Sequence, residues 1–167
     1  LESWKAGQRE STFRSLMEDK TRNFVGRELE LDELKKWLQQ KRGFSLITGH
    51  PGVGKSTLLA RVVQQADGIS IVTIPYFIER GNSPTPEAFL REILNGIALH
   101  FGQSFIASDC NEMREALERQ LETVGKRLFA KGHRLLIVVD GLDEALPDKQ
   151  GAVGGQTLLD FIPKRVP

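Results

Sequence analysis

The residues with the clearest chemistry are those from Gly49 to Ser56, which read Gly-His-Pro-Gly-Val-Gly-Lys-Ser. This run satisfies the pattern G-x-x-x-x-G-K-[ST] in full. Glycines at these spacings let the backbone curl so that successive N–H groups point at one anion, and a helix that starts there adds the positive end of its dipole. The pattern predicts a loop that binds the phosphates of a nucleoside triphosphate.

Each position of this loop has an expected role. Lys55 is expected to reach the β- and γ-phosphates, the Ser56 hydroxyl to bind Mg²⁺, and Thr57 to lie near the α-phosphate. The loop positions expected to line the phosphate site are Gly49, His50, Pro51, Gly52, Val53 and Gly54. A chance match is expected about once in a hundred chains of this length, and here a predicted strand precedes the loop and a predicted helix follows it.

A second group of candidate residues follows the apolar run Leu135–Val139, which predicts a buried strand. Asp140 ends that strand, at the edge where parallel sheets place ligands, and is expected to hold Mg²⁺ through a water molecule. Hydrolysis needs a group that orients the attacking water. Glu144 is the first candidate and Asp143 the second, and either could instead support the metal site or be an ordinary solvated acid.

The elements that must position these groups alternate between strands and helices. Besides Leu135–Val139, strands are predicted for Phe44–Thr48 and for Ile69–Ile74, which Pro75 closes. Four helices are predicted: one through Leu31, Leu34 and Leu38 with Lys41 and Arg42 near its last turn and Gly43 as its stop, one after the loop, one from Thr85-Pro86 to Gly102, and one from Asp109 to Gly132. The pattern indicates an α/β fold of three layers, the P-loop NTPase fold, with a mainly parallel sheet.

Composition excludes several classes. The chain has 167 residues, enough for one domain, and a formal charge of +1, which gives no reason to expect an obligatory nucleic acid or membrane partner. No apolar run approaches the roughly 20 residues of a membrane span. The single cysteine, Cys110, cannot form an internal disulfide, and the three histidines are scattered. A cytoplasmic setting is expected.

Val139-Asp140-Gly141-Leu142-Asp143-Glu144 resembles the Walker B signature of the NACHT family, which belongs to the STAND group of signal-transduction NTPases. A small residue directly after the metal-binding aspartate, followed by two acids, marks that signature. Asn23–Glu28 resembles the segment that opens such domains and folds over the adenine. The resemblance implies that Val25 and Arg27 contact the base or the ribose. Arg80 is interpreted as a surface arginine rather than a γ-phosphate sensor.

The resemblance covers residues 23–167, read as the N-terminal part of a NACHT-like nucleotide-binding domain, and leaves residues 1–22 as a linker or N-terminal helical extension. Family members continue into a sensor strand, a small helical domain and a winged helix. The sensor strand lies between the phosphate-loop strand and the acidic strand. The fold is therefore expected to be incomplete at the C-terminus, the natural protein to be longer, and the two strands not to be hydrogen-bonded directly.

The resemblance implies a slow ATPase in which ATP or ADP with Mg²⁺ sets the arrangement of other domains of the same chain and gates assembly of a homo-oligomer. The fragment is expected to have little catalytic activity alone. An AAA+-type motor or loader is the main alternative, although motors usually place glutamate where this chain has Gly141. A binding-only module stays open. A small-molecule kinase would need an arginine-rich lid, and a GTPase an Asn-Lys-x-Asp motif, and neither is found.

Overall fold

The computed structural model describes residues 15, 18–19, 21–22, 25–40, 42–66, 70–78, 85–142 and 158–163. The chain divides into two compact units, residues 1–65 and residues 66–167, and each is considered by itself. The predicted N-terminal linker or helical extension over residues 1–22 lies largely outside the described residues. No helix in the described ranges is long and apolar enough to cross a membrane.

The first unit contains helix α1, Glu28–Leu38. It carries Glu28 and Glu30 in its first turn, as the helix dipole favours. Its end differs from the prediction, because Gln39 caps the helix with N–H donation to the carbonyls of Lys35 and Lys36 at 3.2 Å. Lys35 and Lys36 are therefore the basic residues of the last turn.

The helix therefore stops before the predicted Gly43, and Arg42 lies beyond the cap, whereas Lys41 is outside the described residues. Basic residues only favour a helix end in their vicinity, whereas the cap hydrogen bonds determine the residue at which the helix stops.

Helix α2, Lys55–Ala66, starts at the lysine of the phosphate loop, as the sequence predicts. Its first helical hydrogen bond runs from the Leu58 N–H to the Gly54 carbonyl at 2.9 Å. The buried apolar residues recur at helical spacing and are Leu58, Ala60, Val62, Val63 and Ala66. Apolar residues at such a spacing are typical of a helix that buries one face.

The sheet lies in the second unit and pairs β1, Ile71–Phe77, with β2, Arg134–Asp140. The two strands are parallel, with Ile71 opposite Arg134 and Phe77 opposite Asp140. Parallel pairing of consecutive strands through an intervening helical crossover is the α/β arrangement that the sequence predicts. The carboxyl ends of both strands therefore meet at one edge.

Pro75 does not close β1, contrary to the prediction, because the strand continues to Phe77. The flanking hydrogen bonds explain why the proline is tolerated. The Ser70 carbonyl accepts from Arg134 and the Ile78 N–H donates to Asp140, at 2.9 and 3.0 Å. Even-numbered residues of β1 thus point their polar backbone groups at β2. Pro75 is odd-numbered, so its missing N–H faces away from the ladder.

The predicted strand Phe44–Thr48 is wrong. Residues 43–50 have no regular secondary structure, and the side chains of Phe44 and Leu46 are 59% and 77% exposed. An apolar composition gives only a preference for β structure, whereas a strand requires a neighbour that pairs with its N–H and C=O groups. The sheet formed by the described residues comprises β1 and β2 alone. The described residues therefore contain no pair of strands flanking the expected sensor-strand position, and the expected incompleteness of the fold stays a prediction.

Two long helices, α3 at Pro86–Phe101 and α4 at Cys110–Phe129, follow the predicted capping signals. The Thr85 hydroxyl accepts from the Ala88 N–H at 3.1 Å, and Pro86 occupies the first turn. The Asp109 carboxylate accepts from the first-turn N–H groups of α4 at 2.8 and 2.9 Å. These side chains replace the partners that a helix start lacks.

The core of the second unit lies between the sheet and helices α3 and α4. The apolar residues that recur at helical spacing are buried: Phe89, Leu90, Ile93, Leu94 and Ile97 on α3, and Met113, Leu117, Leu121, Val124 and Leu128 on α4. Leu158 and Phe161, in the short 3₁₀ helix Leu158–Phe161, join the same cluster at 2% and 4% exposure. Ile74 of β1 approaches α3 at Gly96 so closely that a Cβ there would lie 2.7 Å from its Cγ2.

Candidate functional site

The predicted phosphate loop, residues 49–54, is irregular, mostly exposed and runs directly into α2. Gly52 and Gly54 have φ angles of +80° and +89°. Side-chain-bearing residues rarely adopt such angles, so glycine is required at both positions for the backbone to turn. The turn delivers the start of α2, where the first main-chain N–H groups lack helical partners. An anion at this position would meet several donors at once.

Lys55 is folded back onto its own loop. Its ammonium group donates to the Gly49 carbonyl at 2.9 Å and to the His50 carbonyl at 3.3 Å. The Gly49 position is also close to Val53, whose Cγ2 would lie 3.1 Å from an added Cβ. These contacts hold the positive charge over the loop, where it could form charge-assisted hydrogen bonds with an anion.

Arg27 contributes a second cation to the same loop. Its guanidinium donates to the Val53 carbonyl and, at 3.0 Å, to the carboxylate of Glu30. Arg27 has a φ of 67°, an uncommon left-handed conformation for a residue with a side chain, and it precedes the first turn of α1. The sequence pattern singled out Arg27 but not its contact with the loop. The neighbouring Val25, expected to contact the base, is 90% exposed.

The donors of this first unit fit a phosphate ligand. Ser56 and Thr57 lie in the first turn of α2, half-buried and directly after the lysine. Two cationic side chains contact carbonyls of one short loop, and the helix start adds main-chain donors. Anionic oxygen is the acceptor that such a set of donors binds most strongly. The Ser56 hydroxyl is in addition a hard oxygen ligand of the type that Mg²⁺ takes.

Asp140 ends β2, as predicted, and is 9% exposed. Leu135, Ile137 and Val139 pack against the core between the sheet and the helices. Because side chains alternate along a strand, Asp140 lies on the opposite sheet face, together with Leu136 and Val138. The carboxylate is thus a buried acid at the carboxyl edge of a parallel strand, the position at which α/β proteins bind ligands.

The backbone after Asp140 turns sharply at Gly141, which has a φ of +79°. A Cβ at this position would lie 2.9 Å from the Ile78 carbonyl oxygen and 3.0 Å from the Ile78 Cβ. Both the angle and the crowding require glycine. Ile78 was not identified from the sequence, since its contacts are made mainly by main-chain atoms that no residue pattern encodes.

The remaining predicted site residues, Asp143 and Glu144, lie outside the described residues, as does Arg80, which the sequence analysis interprets as a surface arginine. The phosphate loop belongs to the first unit and Asp140 to the second. The structure brings Lys55, Arg27 and the loop carbonyls together within the first unit.

A glycine-rich loop that runs into a helix, in the first unit, and a parallel sheet that ends in a buried acid, in the second, are each features of α/β P-loop nucleotide-binding domains. Comparison with protein families agrees, since the AAA ATPase domain family matches residues 23–159. The chain belongs to this family of AAA ATPase domains. Membership implies nucleotide binding and, typically, Mg²⁺ binding. No curated protein and no solved structure gave a significant match.

Proposed function

We propose that this chain is the nucleotide-binding domain of a NACHT-type STAND switch, in which bound ATP or ADP sets the arrangement of the other domains of a longer, cytoplasmic signalling protein. Residues 23–167 would form the N-terminal part of that domain, preceded by a linker or helical extension over residues 1–22. A switch depends on which nucleotide occupies the site, so slow turnover suffices, and self-association would follow the change of state.

The observation that most supports a switch over a motor is the backbone at Gly141. Motor-type family members usually carry glutamate directly after the metal-binding aspartate. Here that position has a φ of +79° and an added Cβ would lie 2.9 Å from the Ile78 carbonyl. A glutamate at this position would be strained and crowded. Any acid that orients the attacking water must therefore come from further along the chain.

The proposed roles follow the chemistry of the side chains. Lys55 would exchange its two loop carbonyls for phosphate oxygens, while Ser56 and Asp140 would hold Mg²⁺. When bound, Mg²⁺ neutralises charge on the β- and γ-phosphates. Glu144, or else Asp143, would orient the water. Thr57 would lie near the α-phosphate.

Two further contacts are proposed for the nucleoside. Val25 is 90% exposed. This exposure supports its proposed contact with the base, because covering an exposed apolar side chain with the base removes apolar surface from water. The Arg27 guanidinium contacts the loop at Val53 while its main chain begins α1. Arg27 would therefore connect the base- or ribose-binding segment to the phosphate loop.

The first test is titration of the full chain with ATP, ADP and GTP in the presence of Mg²⁺. Lys55→Ala removes charge-assisted hydrogen bonds worth about 1.5–3 kcal/mol each, so affinity should fall by at least about tenfold. Lys131→Ala is the matched control, since Lys131 is an exposed lysine beyond the end of α4. Unchanged affinity in Lys55→Ala would contradict the loop assignment.

The second test addresses the shared metal. Ser56→Ala and Asp140→Asn should each reduce the enhancement of ATP affinity by Mg²⁺, and the double variant should lose little more than either single variant. Two ligands of one ion act as a unit, so their effects are not additive. Additive losses would indicate that the two side chains serve different ions or none.

A motor or loader is the second candidate, because the match to the AAA ATPase domain family is compatible with either role. Turnover distinguishes them. A motor should hydrolyse ATP continuously, and Glu144→Gln should then reduce the steady-state rate with ATP affinity retained. A switch should show slow release of ADP and a change in oligomeric state between ATP and ADP. A binding-only module would hydrolyse nothing in any variant.

A further inference from the structure

The residue that follows β1 is hydrogen-bonded to Asp140, the last residue of β2 and the proposed metal ligand. The Ile78 N–H donates to the Asp140 carbonyl at 3.0 Å, one residue beyond the last β1 residue that pairs with β2. This bond extends the parallel ladder past Phe77. The main chain of Asp140 is therefore tied to the first residue after β1.

Ile78 also restricts the space around Gly141, the residue that follows Asp140. Its carbonyl oxygen would be 2.9 Å, and its Cβ 3.0 Å, from a Cβ placed on Gly141. Real Cβ atoms essentially never lie within 3.0 Å of a main-chain oxygen, and here the close atom is backbone rather than a flexible side chain. One residue thus hydrogen-bonds to Asp140 and closely packs against Gly141.

We infer that Ile78 is a positioning residue for the proposed metal-binding aspartate, because its main chain holds the Asp140–Gly141 peptide in place. This contact is possible only with glycine at position 141. The inference rests on the proposed function of Asp140. A carboxylate that holds a metal must keep its position to within about 0.5 Å. Displacement of residue 141 by a side chain would move the neighbouring carboxylate and weaken the metal contact.

The glycine at 132 provides a matched control for this inference. Gly132 has a φ of +69° at the turn before β2, close to the +79° of Gly141. Nothing lies within 4 Å of a Cβ built on Gly132. Alanine at either position is strained by the left-handed backbone angles, but only alanine at position 141 would also clash with Ile78. A difference between the two variants therefore isolates the contact.

The experiment measures ATP binding to the full chain with and without Mg²⁺, and the Mg²⁺ concentration that gives half of the enhancement. We expect Gly141→Ala to raise that concentration at least tenfold, and Gly132→Ala to leave it within twofold of the wild type. ATP affinity without Mg²⁺ should stay within twofold in both variants, because the phosphate loop is unchanged. Asp140→Asn should reduce the enhancement at least as much as either residue-141 variant and gives the limit for a lost Asp140 contact.

Gly141→Asn is the second variant, because asparagine tolerates left-handed angles better than alanine while still carrying a Cβ. It should reproduce the effect of Gly141→Ala in a better-folded protein. If wild-type ATP binding responds to Mg²⁺ and both residue-141 variants respond as Gly132→Ala does, the positioning role is wrong while the proposed function stands. If the wild type binds no nucleotide, or binds it without any response to Mg²⁺, the proposed function fails and the positioning role fails with it.

Discussion

At the scale of single residues, Tyr76 combines packing with titration. It lies in β1, and its ring meets that of Phe89 edge to face, with centroids 5.1 Å apart. Burial raises the pKa of the Tyr76 phenol above its ordinary value, and the negative charge of Glu92 raises the pKa further. The folded protein therefore disfavours the tyrosinate form relative to the unfolded chain.

This shift predicts a loss of stability in alkali. Because the folded pKa is raised, the contribution is fully present below the unfolded tyrosine pKa of about 10 and is lost as the pH rises through the folded pKa. The free energy of unfolding should fall more steeply above about pH 10 in the wild type than in Tyr76→Phe. Urea unfolding over a pH series measures the difference. Equal slopes in the two proteins would contradict the prediction.

Tyr76 is the only tyrosine in the sequence, so tyrosinate absorbance reports this group directly. The titration midpoint of the native protein should lie above that of the urea-unfolded protein. A native midpoint at or below the unfolded one would show that the ring is not in the environment described above.

At the scale of elements, the contact between β1 and α3 depends on Gly96. Glycine inside a helix is normally unfavourable relative to alanine by about 1 kcal/mol. Here a Cβ at Gly96 would lie 2.7 Å from the Cγ2 of Ile74, a residue that is itself only 3% exposed. The helix loses some intrinsic stability at this position and in return can pack closely on the strand.

Gly96→Ala should therefore destabilise the protein by about 1–3 kcal/mol, in spite of the better helix propensity of alanine. Ile74→Ala removes the obstructing methyl and leaves a cavity, at a cost of about 2–5 kcal/mol. The double variant should lose less than the sum of the two, since the new methyl enters the vacated space. Chemical denaturation of the four proteins gives the coupling energy, and strict additivity would argue against the contact.

Helices were predictable here because their signals are local. Thr85 and Pro86 begin α3, and Asp109 begins α4, through contacts within three residues along the chain. The run Phe44–Thr48 failed because a strand depends on a partner that lies elsewhere in the sequence. Composition alone could not decide whether that partner was present.

In the candidate site too, local features could be predicted from the sequence, and contacts between distant segments could not. The backbone turn and the helix start at Gly49 to Ser56 were predictable, since a dense local pattern encodes both, while the phosphate-binding roles of these residues stay predictions. The tie between Arg27 and the Val53 carbonyl, and the contacts of Ile78, were not. They join segments distant in sequence, and three of the four groups in the two hydrogen bonds are main-chain atoms, which are the same for every residue type.

At the scale of the whole molecule, the large apolar cluster lies in the second unit. It is formed by residues of β1, α3, α4 and the 3₁₀ helix, with partly buried β2 side chains against it. The first unit contains the exposed apolar residues Val25, Leu29, Phe44 and Leu46. Local stability follows the density of buried apolar contacts, so the two units are expected to open with different free energies.

Native-state hydrogen exchange tests this difference. Amides of α3, α4 and the β1–β2 ladder should exchange most slowly, and those of Phe44–Thr48 should exchange fastest among the described apolar segments. Mg²⁺ and ATP should slow exchange in the phosphate loop and at the start of α2, because a ligand stabilises the state that binds it. Protection of Phe44–Thr48 equal to that of β1 in the nucleotide-free protein would mean that this run is a strand in solution.

The hydrogen bonds of Lys55 to the carbonyls of Gly49 and His50 have a consequence for ligand selectivity. An incoming anion does not meet a bare ammonium group, since it must first outcompete two amide oxygens that already solvate the charge. Chloride offers a single diffuse charge and gains little from that exchange, whereas a polyphosphate offers several anionic oxygens at once. Under the proposed function, the loop is therefore expected to bind a polyphosphate in preference to monovalent anions such as chloride.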